Sequence, residues 1–410
     1  MSVGIEAINF YGGAACIDVR DIFEARDLNL DRFDNLMMKK KSVGLPWEDA
    51  VTNGVNAAKP IIDLLSKEEK NSIELVITSS ESGLDFGKSL STYIHDYLGL
   101  SKSCRLFEIK QACYGGTAAF HMASCFVASQ VSPGARALVI ATDVARAAAR
   151  YTYAEASQAV GAIAMLVSEN PKVLELDFGA SGQHSYEVMD TCRPLPDIET
   201  GDADLSLLSY LDCFSNSYKK YAEKVEDVDF IKTFDYLVFH TPFAGMVKGA
   251  HRKLMRELFK VGPSEANADF LKRVQPSLKY CVQVGNVYSA TTYLALCGLI
   301  DYGDIKGNER IGIFSYGSGC SSEFYSGTLT ECSREQLAKM KIGEHLNIRY
   351  KLTIDEYDRI IDENAEWLFG IKDKEVEYSK FIKIYNHFFK GKNYLVLDRV
   401  SDYHREYKWS

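Results

Sequence analysis

The sequence predicts an α/β fold, in which strands that are buried on both faces alternate with helices. Short continuous apolar runs recur along the chain, for example Ile73 to Thr78 and Ala135 to Ala141. Between such runs lie segments with apolar residues at helical spacing, of which Asp49 to Leu65 is the clearest. With 410 residues, 46% of them hydrophobic, the chain can bury a large core. This alternation is typical of a sheet that is covered by helices on both faces.

In the first half of the chain, the apolar runs predict five strands and the helical spacing predicts four helices. The predicted strands are Val3 to Tyr11, Ile73 to Thr78, Leu106 to Ile109, Ala135 to Ala141 and Gly161 to Ser168. The predicted helices are Asp18 to Arg26, Asp49 to Leu65, Leu90 to Leu98 and Thr117 to Ser124. The basic segment Met37 to Pro46 is predicted as a loop.

The second half repeats this rhythm. Its predicted strands are Val173 to Phe178, Tyr236 to His240, Ile311 to Tyr316 and Glu323 to Leu329. Its predicted helices are Leu205 to Lys224, Gly245 to Leu258, Ala268 to Val282 and Ser289 to Ile300. Residues 75–81 and 237–243 occupy matching places, which predicts an internal duplication with halves at residues 1–170 and 171–410. Beyond about Cys332 the chain is polar, and we expect a helical or irregular appendage packed on the core.

Composition and charge argue against several classes of function. A net charge of −9 disfavours nucleic acid as the main partner, because a phosphate backbone requires a clustered positive surface. No uninterrupted apolar run reaches roughly 18 residues and Met1 to Ile8 lacks a basic export signal, so we expect a cytoplasmic protein without a membrane span. The 10 cysteines are scattered without C-x-x-C pairs, which favours reduced thiols and no bound metal.

The stretch from Arg105 to Ser124 is predicted as a strand, a sharp turn and a helix, with Cys113 at the turn. Gly115 and Gly116 permit a tight backbone and would let a substrate thioester approach. A sulfur at a helix N-terminus is favoured as a thiolate by the helix dipole and the unpaired N–H groups. This pattern predicts that Cys113 is a nucleophile at neutral pH. The alternative is that Cys113 is a small buried hydrophobic residue, as most free cysteines are.

Polar residues also stand near the ends of other predicted buried strands, where sheet enzymes gather their chemistry. A carboxylate such as Glu81 in an apolar cleft has a raised pKa and can act as a base, although it could equally begin the next helix. The common explanation for a histidine such as His240 is a structural hydrogen bond. Asn286 could offer its amide to a carbonyl oxygen or cap the helix that follows it. Together with Cys113, these residues indicate carbanion chemistry on a thioester.

The motifs around these residues resemble those of the 3-hydroxy-3-methylglutaryl synthases of the thiolase superfamily. The resemblance covers about Val3 to Leu329 well and the tail more loosely. The matching segments are Ser80-Glu-Ser-Gly83, Glu108-Ile-Lys-Gln-Ala-Cys-Tyr-Gly-Gly-Thr117, Ala141-Thr-Asp-Val-Ala-Arg146, Phe239-His-Thr-Pro-Phe243, Val284-Gly-Asn286 and Phe314-Ser-Tyr-Gly-Ser-Gly319.

This resemblance implies a thiolase-like fold, in which two duplicated βαβαβαββ halves form a five-layered αβαβα core. It also implies a Claisen-type condensation with Cys113 as acyl carrier, Glu81 as base and His240 as acid. The enolate oxygen would be met by backbone N–H groups of Cys113 and of the Ser318-Gly319 turn. The other residues that we expect at the substrate are Gly115, Phe243, Asn286, Tyr316, Ser318 and Gly319. The scheme uses no metal, nucleotide or redox cofactor.

Within this family the chain resembles the branch that acts in polyketide β-branching, whose substrates are carried on the phosphopantetheine of acyl carrier proteins. The supporting segments are Arg32-Phe-Asp-Asn-Leu-Met-Met38, Val55-Asn-Ala-Ala-Lys-Pro-Ile-Ile-Asp63, Met189-Asp-Thr-Cys-Arg-Pro194 and Met246-Val-Lys-Gly-Ala-His-Arg252. Gly245 agrees, because synthases that use free coenzyme A commonly have lysine at this place. Arg146 to Gly161 is shorter than expected for this branch, with Ala156 in place of a proline, which predicts an altered donor or acceptor pocket.

The predicted function is condensation of an acetyl group, taken from an acetyl carrier protein onto Cys113, with the β-ketone of a carrier-bound polyketide chain. One alternative is the hydroxymethylglutaryl-CoA synthase of isoprenoid metabolism. Another is a decarboxylating enzyme similar to ketoacyl synthase III, which needs no carboxylate base, so Glu81 disfavours it. A third is a non-catalytic partner subunit, which the intact set of Glu81, Cys113 and His240 disfavours.

The predicted partners are acidic donor and acceptor carrier proteins, together with a second copy of the chain. A carrier protein needs a local basic docking surface on an enzyme of net charge −9. Two basic clusters are candidates, and either could be an ordinary solvated face. They are Arg32 with Lys39, Lys40 and Lys41, and Lys248 with His251, Arg252 and Lys253. We expect a homodimer that pairs through an edge strand into a continuous sheet.

Overall fold

The computed structural model of the chain describes residues 2–145, 147–152, 154–195, 197–367 and 369–410. Its strands are β1 Gly4–Tyr11, β2 Ala15–Asp18, β3 Lys40–Val43, β4 Ile73–Ser79, β5 Arg105–Ile109, β6 Arg136–Asp143, β7 Gly161–Ser168, β8 Leu174–Ser185, β9 Thr191–Leu195, β10 Ile198–Gly201, β11 Tyr236–Phe239, β12 Arg310–Gly317, β13 Ser321–Leu329, β14 Tyr350–Lys351, β15 Lys374–Glu375, β16 Leu395–Ser401 and β17 His404–Trp409.

Its α-helices are α1 Val19–Ala25, α2 Leu30–Leu36, α3 Ala50–Ile62, α4 Lys67–Asn71, α5 Leu90–Tyr97, α6 Gly115–Ala128, α7 Ala203–Lys224, α8 Ala244–Glu257, α9 Pro263–Asp269, α10 Leu278–Val284, α11 Thr291–Tyr302, α12 Ser333–Ala338, α13 Ile342–Ile348, α14 Ile354–Ala365 and α15 Ile382–Phe388. None of the helices in the described ranges is both long and apolar enough to cross a membrane.

The strands of the two halves follow the same spatial order. In the first half β1, β7, β6 and β4 lie side by side, and in the second half β8, β13, β12 and β11 do so. The strand directions also correspond, because β4 is parallel to β6 as β11 is parallel to β12, while the other neighbours in each set are antiparallel. The α/β class and the predicted duplication are therefore confirmed at the level of topology.

The two halves differ in one strand. β5 extends the first half beyond β4, whereas the described residues of the second half contain no counterpart beyond β11. The described part of the second half therefore has one strand fewer than the first, because the chain between α8 and α11 is helical. The two sets of strands meet where β1 pairs with β8, through Gly4 with Glu175 and Ile5 with Leu174.

Helices form three layers around these strands. α3 packs on β1, β6 and β7, and α7 packs on β8 and β13 on the far side. Between the two sets of strands lie α6 of the first half and α11 of the second. A chain of buried hydroxyls joins these two helices to each other and to β12 and β13. The hydrogen bonds run from Tyr325 to Tyr293 at 3.2 Å, from Tyr293 to Thr117 at 3.3 Å and from Thr117 to Ser315 at 2.8 Å. This arrangement agrees with the expected five-layered core.

Three sequence expectations about single elements are wrong. The basic segment 37–46 is not a loop throughout, because Lys40–Val43 pairs with β2 as strand β3. The helix expected from Ala268 to Val282 is broken into α9, a π-helical turn, a 3₁₀ turn and α10. The break falls at Pro276, which cannot donate a backbone hydrogen bond. The strand expected to end at Phe178 continues to Ser185.

The appendage beyond Cys332 is not only helical or irregular, because it contains a three-stranded sheet of β15, β16 and β17. β16 buries Leu395, Val396 and Leu397 against the core. It is fixed to α3 by two hydrogen bonds between the Asn56 amide and the backbone of Leu395, at 3.1 and 2.8 Å. The short apolar run 395–397 was the signal for this strand.

Candidate active site

Two of the three predicted catalytic residues meet at one edge of the sheet. β4 and β5 are parallel neighbours, so their carboxyl ends lie together, and Glu81 and Cys113 follow those ends. The Cys113 thiol donates a hydrogen bond to Oε1 of Glu81 at 3.2 Å. The predicted base and the predicted nucleophile are therefore in direct contact.

A strained turn presents the cysteine. Ala112 has a φ of 44°, a left-handed conformation that is unfavourable for residues other than glycine, and α6 begins at Gly115. A β-carbon on Gly115 would lie 2.3 Å from Oγ of Ser79, and one on Gly116 would lie 2.5 Å from the carbonyl oxygen of Ser289. These glycines are therefore needed for the close packing of α6, and the space that we expected them to leave for a thioester is filled by protein.

The predicted thiolate is wrong for the free protein. Burial raises the pKa of the Cys113 thiol well above its usual range, and the neighbouring Glu81 carboxylate raises it further. Cys113 also lies two residues before α6 rather than within its first turn, so the helix dipole does not outweigh these effects. Burial raises the pKa of Glu81 as predicted, and the Arg193 guanidinium partly offsets this effect.

Asp143 is a buried carboxylate behind Glu81 that the sequence reasoning did not single out. Its Oδ1 accepts the backbone N–H of Glu81 at 2.7 Å and the hydroxyls of Ser80 and Ser82 at 3.1 and 2.9 Å. Burial and the Glu81 charge raise the pKa of Asp143. Asp143 thus fixes the backbone of the base, and its place at the end of β6 was the signal that could have revealed it.

Arg193 is a second residue that the sequence reasoning missed, although it lies in a quoted motif. Its guanidinium lies 3.2 Å from Oε2 of Glu81 and 2.9 Å from Oε2 of Glu199. Arg193 and Glu199 are carried by β9 and β10, a hairpin of the second half. This hairpin therefore places one cation between two carboxylates, one of them the predicted base.

His240 directly follows β11, which occupies the place in the second half that β4 has in the first. The residue is 1% exposed, and burial lowers the pKa of its imidazole to about 3. Its Nδ1 has no hydrogen-bond partner among the described residues. A neutral imidazole can still donate a hydrogen bond, so the role of His240 as an acid stays a prediction.

The predicted oxyanion turn lies against the cysteine turn. A β-carbon on Gly317 would lie 2.5 Å from the backbone nitrogen of Tyr114, which shows how closely the two turns approach. The Gly319 N–H donates to Asp190 at 2.9 Å, and the Tyr316 hydroxyl donates to the same carboxylate at 2.8 Å. Both groups are thus engaged within the protein. Ser318 and Gly319 are both half-buried.

The remaining predicted substrate residues support neighbouring elements. Oδ1 of Asn286 accepts the backbone N–H of Tyr288 at 2.9 Å and the hydroxyl of Thr291 at 3.0 Å, so the capping alternative holds. Phe243 stands immediately before α8, is half-buried and packs against apolar residues of two clusters. No metal-binding group of three or more His, Cys, Asp or Glu side chains occurs among the described residues.

The two basic clusters have members on neighbouring helices, but not all of their residues are at the surface. α2 carries Arg32 and packs against α8, which carries Lys248 and Arg252. Arg32 and Arg252 are exposed and Lys248 is half-buried. Lys41 and His251 are buried in the interior, so their inclusion in a docking surface is wrong.

Two family models together match nearly the whole chain. The hydroxymethylglutaryl-coenzyme A synthase N-terminal model matches residues 1–172, and the C-terminal model matches residues 175–271 and 256–409. The chain belongs to the hydroxymethylglutaryl-coenzyme A synthase family. It is therefore a condensing acyltransferase, and the family predicted from the sequence is confirmed.

Individual relatives are similar over the full length. The chain is 51% identical over 418 residues to the polyketide biosynthesis 3-hydroxy-3-methylglutaryl-ACP synthase PksG of Bacillus subtilis, covering 100% of this chain and 99% of that protein. It is 32% identical over 371 residues to the hydroxymethylglutaryl-CoA synthase of Enterococcus faecalis, covering 89% and 93%. The crystal structure of the curacin biosynthetic pathway HMG synthase matches with a TM-score of 0.97 and 53% identity over 100% of both chains. That synthase has also been solved with apo, holo and acetyl donor-ACP.

The contact between Glu81 and Cys113 generates a prediction for Glu81→Gln. The variant should still accept acetyl on Cys113, but more slowly than the wild type. The thiol loses the base that takes its proton, although removing the carboxylate also lowers the cost of ionising the thiol. It should not exchange the methyl protons of that acetyl group, because an amide cannot act as the base. Intact mass measures acetylation, and deuterium uptake in D₂O measures exchange. Complete loss of acetylation in a folded variant would instead mean that Cys113 cannot react at all without Glu81 as the acceptor of its proton.

Proposed function

We propose that this protein is a 3-hydroxy-3-methylglutaryl-ACP synthase of polyketide β-branching. It condenses an acetyl group from a donor acyl carrier protein with the β-ketone of a carrier-bound chain and so installs a carboxymethyl branch. The observation that carries the proposal is the Glu81–Cys113 pair, in a chain with 51% identity over its full length to a relative with this function. The 32% identity to a synthase named for coenzyme A is much lower.

The first half-reaction transfers acetyl to Cys113. The thiol proton passes to Oε1 of Glu81, which already accepts its hydrogen bond. The sulfur attacks the acetyl thioester, and the departing carrier thiolate takes the proton from Glu81. Acetyl-Cys113 and a free carrier thiol result, with Glu81 ionised again. A thiol with a raised pKa is adequate here, because its base is in contact with it.

The second half-reaction forms the carbon–carbon bond. Acetylation removes the thiol proton from Oε1, so Glu81 can take a methyl proton instead. The enolate carbon adds to the β-ketone, and the resulting alkoxide receives the proton that Glu81 removed. His240, neutral because of its lowered pKa, donates a hydrogen bond to that alkoxide. Water then cleaves the cysteine thioester. This chemistry requires no metal, nucleotide or redox cofactor.

Gly245 supports a carrier protein rather than free coenzyme A as the donor. A β-carbon on Gly245 would lie 1.7 Å from the carbonyl oxygen of Asn35, so α2 rests directly on the start of α8. A lysine could not occupy this position unless α2 moved. The place from which a lysine would bind the nucleotide end of coenzyme A is therefore taken by a helix that carries Arg32.

The decarboxylating alternative explains the site less well. An enzyme of that type makes its carbanion by releasing carbon dioxide and needs no carboxylate next to the nucleophile. Here Glu81 contacts the sulfur and is held by Asp143 and Arg193. A carboxylate that is positioned by such contacts is suited to removing a proton from the substrate.

We also propose that the protein is a homodimer. β5 is the edge strand of the sheet and has exposed residues at Arg105 and Phe107. Phe107 is 40% exposed, and Met122 on the adjoining α6 is 52% exposed. An uncovered strand edge with large apolar neighbours is suited to pairing with its own copy.

We expect the protein in the cytoplasm, where its cysteines, all of them free thiols, remain reduced.

The function is tested by mixing the protein with acetyl donor carrier protein and, separately, with acetyl-CoA. We expect one acetyl group on Cys113, faster from the carrier protein, as measured by intact mass and peptide mapping. Cys113→Ser should abolish labelling without unfolding, whereas Cys125→Ser, which changes an exposed cysteine, should not. Faster labelling by acetyl-CoA would favour the isoprenoid alternative, and label on another residue would contradict the proposed nucleophile.

Charge reversal tests the docking surface. Arg252→Glu and Lys248→Glu should each raise the KM for acetyl carrier protein by roughly fivefold or more, because they repel an acidic partner. Labelling by an acetyl pantetheine thioester should be unchanged, and the defect should shrink at high salt. Lys306→Glu is the matched control, because Lys306 is 78% exposed and precedes β12, at the opposite end of the sheet from His240. Equal losses with both donors would place these residues in the active site instead.

The dimer prediction is tested by sedimentation at micromolar concentration. The protein should sediment with twice the mass of one chain. Phe107→Asp should produce monomers, because it puts a charge on the edge of β5. Ile348→Asp, at an apolar position that is 65% exposed on α13, should remain dimeric. A wild-type monomer would contradict the proposal.

A further inference from the structure

Both oxygens of the Glu81 carboxylate are engaged, and they have different partners. Oε1 accepts the Cys113 thiol at 3.2 Å, and Oε2 lies 3.2 Å from a guanidinium nitrogen of Arg193. The thiol proton is lost when Cys113 is acetylated, whereas the contact with Arg193 does not depend on that step. One oxygen is therefore released during the reaction and the other stays bound.

We infer that Arg193 is a positioning residue for the catalytic base: it holds Oε2 of Glu81, so that Oε1 is the oxygen left to take the methyl proton. This inference rests on the proposed function, because it assigns Glu81 the role of base. It goes beyond that function by naming the group that orients the base and keeps it ionised.

A closed network fixes the guanidinium. Its other nitrogens lie 3.2 and 2.9 Å from Oε2 of Glu199. Oε1 of Glu199 accepts a hydrogen bond from the side-chain N–H of Gln158 at 2.6 Å. The side-chain oxygen of Gln158 in turn accepts one from the Tyr288 hydroxyl at 3.0 Å. The Tyr288 ring closes the network, because its centroid lies 5.2 Å from the central carbon of the guanidinium. Arg193 is thus held on three sides.

Features around this network indicate that it is built for a purpose other than packing. Tyr288 has a φ of 46°, a left-handed conformation that costs free energy, and the Asn286 side chain fixes its backbone N–H. The hairpin of β9 and β10 is anchored at its base, where the Asp190 carbonyl accepts the N–H of Asp202 at 2.9 Å. The strained backbone of Tyr288 and the anchored hairpin together hold the Arg193 guanidinium beside the Glu81 carboxylate.

Electrostatics give Arg193 and Glu199 opposite effects on the base. The groups facing the Glu81 carboxylate are Arg193, the Cys113 thiol, Asp143, Glu199 and the Tyr288 phenol. Arg193 lowers the pKa of Glu81, whereas the Glu199 charge raises it. The base works only when ionised, so its activity is lost as pH falls through its pKa. Removing Arg193 should move this loss to higher pH, and removing the charge of Glu199 should move it to lower pH.

The test follows deuterium uptake by the methyl group of acetyl-Cys113 between about pH 5 and 9. Each protein is first acetylated with acetyl donor carrier protein, and acetylation is verified by intact mass. For Arg193→Gln, we expect the acid limb of the exchange rate to shift upward by about 1 pH unit or more. For Glu199→Gln, we expect a downward shift. Arg193→Lys should keep the acid limb near its wild-type pH, because the positive charge is retained. Exchange should be slower, because an ammonium group lacks the planar, multi-donor geometry of the guanidinium.

Arg136→Gln is the matched control. Arg136 pairs with Glu6 at 2.8 Å and begins β6, at the opposite end of that strand from Asp143. Its loss should affect stability without moving the acid limb. If Arg193→Gln and Glu199→Gln both keep the wild-type limb while the proteins are acetylated and folded, the inference is wrong and the proposed function stands. If wild-type Cys113 takes no acetyl group, both are overturned.

Discussion

The Glu81 carboxylate, which is only 16% exposed, must remain ionised to act as the proposed base, and the rest of the site depends on this constraint. Burial makes Glu81 a stronger base but also favours its protonated form, so the protein has to supply compensating groups. Arg193 supplies a positive charge, and the Cys113 thiol supplies a hydrogen bond. The same carboxylate makes a resting thiolate at Cys113 unfavourable. In the proposed function, nucleophile and base therefore share one proton in the free protein, and acetylation is the step that separates their roles.

The duplicated fold explains how the participants come together. The carboxyl ends of the parallel strands β4 and β5 bring Glu81 and Cys113 together in the first half. The carboxyl end of β11 provides the equivalent position for His240 in the second half. A hydrogen bond from the Thr117 hydroxyl on α6 to the Ser315 hydroxyl on β12 joins a central helix to the strands of the second half. The hairpin of β9 and β10 completes the arrangement, because it belongs to the second half and contacts the base of the first.

The sequence was sufficient for most of the fold, because buried strands and amphipathic helices have distinct periodicities. It also located Glu81, Cys113 and His240 through their places near strand ends. It did not reveal Arg193 or Asp143, because their importance lies in contacts between residues that are far apart in the chain. The protonation of Cys113 and His240 was also beyond it: burial and neighbouring charges decide pKa values, and neither is visible in a motif. Lys41 and His251 illustrate the same limit, since a run of basic residues does not show which side chains point inward.

The choice of donor depends on packing as much as on charge. At Gly245 the absence of a side chain lets the carbonyl of Asn35 approach, and this contact brings α2 against α8. The exposed arginines Arg32 and Arg252 consequently lie on two adjacent helices. In the proposed function, this glycine removes a position for a nucleotide-binding lysine and also brings the two helices of the proposed docking surface together. The contact between Gly245 and Asn35 involves none of the predicted catalytic residues. In the proposed function, the donor can therefore change from coenzyme A to a carrier protein while Glu81, Cys113 and His240 stay the same.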